Sequence, residues 1–339
     1  MLRVATSEVN VRHAGVWNAC SRAAFRLRGM RIADIAGTLL YALAALVGRL
    51  PLRALHRLGD IAAWMSRSLD LRETRVARRN LDIVYPQIDA AARLQLLRAV
   101  LRETGRGAFE TLRFWTRSGP DNLRLIDRVH GQQWFDAALA SGNGLIIAAP
   151  HYGNWELLNQ WLATRTPITV LYRRPEHPSG EAFLRRVRGR ANVRQLPAEG
   201  AAMRGLFKAL SRGGVVGILP DQQPKAGDGV FVPFFGRDAL SMTLLPRLAQ
   251  RTGATVLFAI AERRYDSGKS GGPRFDVHLI AAPAALRDAD LHVAVAAMNA
   301  VVQAIAERDP TQYQWTYKRY SQRPPGSGEP DPYAWEPPR

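Results

Sequence analysis

Ala148-Ala149-Pro150-His151-Tyr152-Gly153-Asn154-Trp155-Glu156 lies between a short apolar run, Gly144 to Ala149, and an apolar-periodic run, Leu157 to Leu162. That pattern reads as a buried strand feeding a helix, with Pro150 and Gly153 breaking the chain between them. The turn carries a histidine, an amide, an aromatic ring and a carboxylate. From His151 to Glu156 a regular helix would rotate by about 140° beyond one full turn, so within one helix the two face apart. They meet only if His151 sits in the loop and Glu156 in the first helical turn. Such a pair suits general-base catalysis: the acid steers the imidazole, and the imidazole draws a proton from an attacking hydroxyl. A histidine near a glutamate is more often a surface or capping pair, and spacing alone leaves that alternative open.

Outward from this junction the same alternation repeats. Short apolar runs at 125–129, 144–149, 168–172, 215–219, 255–260 and 275–280 alternate with helical stretches at 132–140, 155–164, 179–190, 200–211, 240–251 and 289–307. This predicts an α/β fold over 119–323, with a mainly parallel central sheet and helices on both faces. Active sites of such sheets gather beyond the carboxyl ends of the strands. His151, Arg173 and Asp221 each follow a strand and fall there. Arg173 and Arg174 have a plainer alternative as surface partners of Glu176 or Glu181. Asp221 has one as a turn cap, and Asn154 reads as the helix cap.

The first third is different. Residues 1–30 are basic and lack a cleavage-site pattern, so no cleaved secretory signal is expected. Ile35 to Gly48 is apolar, flanked by Arg31, Arg49, Arg53 and Arg57, and shorter than the roughly 20 residues a comfortable membrane span needs. Span, interfacial helix and core helix are all open; flanking arginines favour a membrane anchor. Arg72, Arg75, Arg78 and Arg79 then form a basic helical face suited to anionic headgroups. Residues 31–118 are therefore expected to be a helical membrane-associating region. The tail 324–339, rich in proline, glycine and acids, is expected to be flexible.

HYGNWE, with its histidine, four intervening residues and acid, resembles the signature of the lipid A late acyltransferases, the lauroyl and myristoyl transferases of Gram-negative bacteria. Four further blocks match in order: Leu171-Tyr172-Arg173 with Pro175 and Pro178, Gly217 to Gln222, Phe231 to Gly236, and Gln312 to Trp315 with Lys318-Arg319-Tyr320. Together they cover roughly residues 30 to 325. Arg174 before Pro175 and His177, where asparagine is commoner, depart from the pattern. The resemblance implies transfer of a fatty acyl chain from an acyl carrier protein thioester to a hydroxyl of a lipid A precursor, at the cytoplasmic face of the inner membrane. In that reading His151 is the base and Glu156 its partner. Arg173, with Arg174 beside it, holds an anionic substrate group, Asp221 positions Arg173 or His151, and Phe234 and Phe235 line an acyl channel. Donors near the helix start stabilise the oxyanion. Within the same chemistry another glycolipid, an ornithine lipid or a lysophospholipid is the alternative acceptor.

The 339 residues carry a net charge of +18, which calls for an anionic partner. An acidic carrier protein, an anionic glycolipid and the inner membrane all qualify. Nucleic acid does not fit, because the basic residues are scattered and no recognition module is visible. A non-catalytic basic binding protein remains the rival class. The single cysteine, Cys20, excludes a disulfide framework. No metal and no cofactor is expected, since no histidine–carboxylate spacing resembles a ligand set. Gly268-Lys269-Ser270-Gly271-Gly272 matches a nucleophile elbow in letters only, in a polar loop without the strand-to-helix context.

Overall fold

A computed structural model describes residues 32–172, 175–189, 192–198, 202–225, 227–265 and 272–334. The basic segment 1–30 with Cys20, the pair Arg173 and Arg174, and Gly268 to Gly271 lie outside the described residues. A helical region comes first: α1 (Ile32–Gly48), α2 (Leu52–Ser68), α3 (Arg72–Val84), α4 (Ala90–Thr116) and the short α5 (Gly119–Leu123). The chain then alternates through β1 (Ile126–His130), α6 (Gln132–Ser141), β2 (Leu145–Ala148), α7 (Trp155–Arg165), β3 (Ile168–Tyr172), α8 (Pro178–Arg188), β4 (Val193–Pro197), α9 (Ala202–Leu210) and β5 (Val215–Ile218). It ends with β6 (Gly229–Phe234), β7 (Arg237–Met242), α10 (Leu244–Thr252), β8 (Thr255–Tyr265), β9 (Pro273–Ala281) and α11 (Leu291–Arg308).

Among the described residues, seven strands form one sheet in the order β1-β9-β8-β2-β5-β3-β4, and β6 and β7 form a separate hairpin. β8, β2, β5, β3 and β4 run parallel, while β9 is antiparallel to β8 and pairs with β1 in parallel. The expected α/β architecture is what the chain adopts. Both faces of β2 are covered. Leu145 and Ile147 pack with Phe135 of α6 and Trp161 of α7, and Ile146 and Ala148 pack with Leu248 of α10 and Val302 of α11. Burial on both faces explains why β2 reads as continuous apolar sequence without alternation.

β4 escaped the sequence reading. It is an edge strand, half-buried, and Arg194 and Gln195 interrupt its apolar character. The hairpin escaped as well. Phe235 and Gly236 turn it with φ of 51° and 72°, two successive left-handed residues as in a type I′ turn. β7 therefore occupies the start of the stretch expected to be helical from 240, and α10 begins at Leu244. The tail also differs from expectation. Tyr333 is buried and its hydroxyl bonds Asn80 of α3, so the chain through residue 334 folds back onto the helical region.

α1 and α2 leave large apolar side chains in the open: Leu39, Leu43 and Leu46 on the first, Ile61, Trp64 and Met65 on the second. The two helices meet at a bend of 111°. No single helix among the described residues is long and apolar enough to cross a membrane.

Candidate active site

β2 and β5 are neighbours, and Ala148 stands opposite Ile218 at their carboxyl ends. His151 lies three residues beyond Ala148, and Asp221 three beyond Ile218, each just after a proline. Two parallel strands ending at one level and leaving by equal steps bring those side chains together. His151 Nδ1 is 2.8 Å from Asp221 Oδ1, and the His151 backbone N–H donates to Oδ2 at 2.7 Å. Burial alone would raise the Asp221 carboxyl, but the His151 ring and its hydrogen bonds hold it below the usual carboxylate range. A carboxylate only accepts, so Nδ1 carries the proton and Nε2 the lone pair. Gln222 follows Asp221 directly and places its Nε2 3.2 Å from that lone pair. Tyr313 is buried beside Asp221, and burial first, then the Asp221 charge, pushes its phenol well up.

Glu156 is not the acid that His151 meets, which corrects the pairing expected from sequence. It is the second residue of α7, nearly fully buried, and its Oε1 accepts from Arg188 Nε at 3.0 Å and Nη2 at 2.6 Å. The helix turns Glu156 toward the end of α8, while the neighbouring strand has already supplied Asp221 to the imidazole. Arg188 itself lies over the Trp155 ring, 4.6 Å from its centre. The amides of the loop that precedes the helix start are also engaged. Besides His151, Tyr152 donates to the Pro150 carbonyl at 2.7 Å, Gly153 to Gln312 at 3.1 Å and Asn154 to Ala261 at 2.9 Å. This close seat on β8 requires a glycine at 153. Its φ is +61° and an added Cβ would lie 2.1 Å from the Ala261 carbonyl oxygen.

Beside the dyad opens a cavity of about 420 Å³. Its walls come from Trp155, Leu158 and Leu162 of α7, Val170 of β3 and Gly217 of β5, and His151, Gln222 and Arg188 also line it. It is an apolar slot with a few polar groups, the usual form of a small-ligand site.

Two expected channel residues lie elsewhere, and Asn154 is the helix cap that its sequence position suggested. Asn154 is buried, capping α7 through the Leu157 amide at 3.3 Å and donating to Glu110 Oε2 at 3.0 Å. Phe234 and Phe235 do not line the cavity. The hairpin folds them against aromatic partners, Phe234 with Tyr313 and Tyr320, Phe235 with Tyr85 and Trp315. The closing block holds the Asp221 loop from behind: Tyr317 Oη accepts from the Gln223 amide at 3.0 Å, and the Arg319 carbonyl accepts from the Gln223 side chain. Arg319 is buried, donating to Leu240 O and Ser241 Oγ at 2.6 Å each.

Under the start of α7 runs a buried charge network that sequence reading missed. Arg263 of β8 donates to both oxygens of Glu110 at 2.6 Å and to Glu103 at 2.6 Å, and His56 Nε2 meets Glu110 at 2.6 Å. Burial raises the Glu110 carboxyl, yet Arg263 and His56 outweigh it and hold it down to about 2. A second constellation, His130, Asp276 and His278, gathers on β1 and β9. Its imidazoles stack at 4.5 Å with 11° between planes. Parallel rings keep their lone pairs in separate planes, so one cation cannot lie in both. Asp276 is already held by Arg264 at 2.7 Å.

A family model for bacterial lipid A biosynthesis acyltransferases matches residues 26–322. The lipid A biosynthesis lauroyltransferase of Escherichia coli K12 is 26% identical over 282 residues, covering 83% of this chain and 90% of that protein. The palmitoleoyltransferase of the same organism is 28% identical over 283 residues, 82% of this chain and 88% of that protein. A phosphatidylinositol mannoside acyltransferase of Mycobacterium tuberculosis is 34% identical over 186 residues, 53% of this chain and 58% of that protein.

Proposed function

The chain belongs to the bacterial lipid A biosynthesis acyltransferase family and is an acyltransferase of lipid A or glycolipid biosynthesis; from that premise we propose that it moves a fatty acyl chain from an acyl carrier protein thioester to a hydroxyl of a lipid A precursor. The observation that carries this reading is the His151–Asp221 pair, 2.8 Å apart, opening onto the apolar cavity. Asp221 fixes the ring with its lone pair on Nε2. The acceptor hydroxyl gives its proton to that nitrogen as its oxygen attacks the thioester carbonyl. Asp221 steadies the imidazolium that results. The acyl chain lies along α7 between Trp155 and Leu162, which keeps water from the reacting carbonyl. No acyl-enzyme is involved. Arg188 walls the site, neutralised by Glu156 and lying over Trp155, which it positions.

The net charge of +18 suits an acidic carrier and a phosphorylated saccharide at the cytoplasmic face of the inner membrane, with Arg173 and Arg174 as ligands for an anionic group. A second acceptor class, another glycolipid, draws support from the likeness to the phosphatidylinositol mannoside acyltransferase. The test is purified protein with acyl carrier thioesters and a lipid A precursor, followed by mass spectrometry. The wild type is expected to add one acyl chain, and His151→Ala to lose activity by roughly three orders of magnitude or more with its fold intact. Near-normal transfer by that variant removes the mechanism. In a deletion strain, unchanged lipid A with a different glycolipid lacking an acyl chain shifts the reading to the second acceptor class.

A further inference from the structure

We infer that Gln222 is a catalytic residue: its side-chain amide caps the His151 lone pair at rest and, once substrate takes the base, donates to the oxyanion. The inference rests on the acyl-transfer reading above. With Nδ1 committed to Asp221, Nε2 is the only ring atom able to take a proton, and the Gln222 amide sits 3.2 Å from it. An attacking hydroxyl must come within about 2.6–3.2 Å of that nitrogen, which is the place the amide fills. Gln222 therefore has to yield before reaction.

It yields locally. Both of its chain neighbours are held, Asp221 by its carboxylate on the His151 N–H and Gln223 by its backbone N–H on Tyr317 Oη at 3.0 Å. Only the side chain is left to swing. Gln222 also lines the same cavity as Trp155 and Leu158, so the displaced amide stays beside the carbonyl of a chain seated there. Asn159, Gln195 and Gln223 also bring side-chain amides to the wall, but among the described residues only that of Gln222 stands within bonding distance of His151 Nε2. The amides of residues 151 to 154 are all bonded within the protein. Arg188, also on the cavity wall, spends Nε and Nη2 on Glu156.

The step balances without any further reactant. The acceptor O–H proton passes to His151 Nε2 as a new C–O bond forms at the thioester carbon. The carbonyl electron pair moves onto oxygen, which accepts a hydrogen bond from the Gln222 amide. Collapse of this intermediate restores the carbonyl and breaks the C–S bond. The departing thiolate takes the proton from Nε2, giving an ester and a free carrier thiol.

The experiment compares Gln222→Met, Gln222→Glu and His151→Ala with the wild type in steady-state transfer from an acyl carrier thioester. Gln222→Met keeps the length and removes the donor. Its kcat is expected to fall about 10²–10³-fold, the usual cost of one oxyanion donor, with the donor KM little changed. Gln222→Glu should be slower still, because an ionised carboxylate only accepts and opposes the developing charge. The low-field proton resonance of His151 Nδ1–H on Asp221 should persist in Gln222→Met, which separates lost catalysis from a disturbed dyad. A Gln222→Met kcat within about threefold of wild type, a loss confined to KM, or a vanished Nδ1–H resonance overturns the inference. His151→Ala reads the premise separately: if it stays active, the acyl-transfer mechanism fails and Gln222 loses its role with it.

Discussion

Asp221 accepts from His151 twice, once from the ring and once from the backbone N–H. Those two bonds set where the imidazole stands and which nitrogen holds the proton. Asp221→Asn keeps the shape but offers an N–H to Nδ1, which favours the tautomer with its proton on Nε2. Transfer is expected to fall on the order of 10³–10⁴-fold, with donor KM retained and the low-field Nδ1–H resonance gone; the same assay and spectrum check both. His151 was legible because a histidine in a strand-to-helix turn carries its own signal. Its true partner was visible as a residue but not as a partner. Glu156 stood nearer in sequence, and only the adjacency of β2 and β5 decides against it. One clue was on the page: Ala148-Ala149-Pro150-His151 and Ile218-Leu219-Pro220-Asp221 leave their strands by the same apolar, apolar, proline, polar steps. Arg188 had no such clue, being one of 47 basic residues.

At the scale of elements, strand and helix order was readable wherever burial dictated composition. β2 and β5 are buried at every position, and long helices such as α4 show their period. β4, the hairpin and the folded-back tail were not readable, because their stability comes from tertiary partners. The ion pair between α4 and β8 belongs to the same category, since Glu110 and Arg263 stand 153 residues apart. It fixes the cap of α7 through Asn154, and so indirectly the loop of His151. Glu110→Gln leaves the buried guanidinium, among the described residues, with Glu103 alone as counter-charge, and should cost about 3–5 kcal/mol of stability, read as a lower urea midpoint. The pH dependence has a definite sign. Glu110 titrates at about 2, below its ordinary 4.5, so its contribution is full above the unfolded value and is lost as pH falls toward 2. Asp221 and Glu262 are shifted the same way. The variant should therefore show a shallower acid loss than the wild type, though not a flat one.

For the whole molecule, the question is how a chain with its active site beyond a sheet reaches a lipid acceptor. α1 is 17 residues long, or about 25 Å at 1.5 Å per residue, short of a hydrocarbon core of roughly 30 Å. Extending it straight into α2 is prevented by the 111° bend. Yet Leu39, Leu43 and Leu46 are each more than 60% exposed, and α1 packs its other side on α8, where Arg186 lies 4.2 Å from the Tyr41 ring centre. Because α8 ends in Arg188 on the cavity wall, α1 is tied through α8 to the wall of the site. We propose that this exposed leucine face beside basic residues rests in a membrane interface. The triple change Leu39→Ser, Leu43→Ser and Leu46→Ser removes about 1.5–3 kcal/mol of apolar burial per side chain. Its binding to vesicles of anionic phospholipid should drop by orders of magnitude in a sedimentation assay. Transfer to a detergent-dispersed acceptor should persist, since no catalytic contact is touched. If wild type and variant sediment alike, α1 is not the membrane contact, and the face that meets lipid must be sought on another part of the surface.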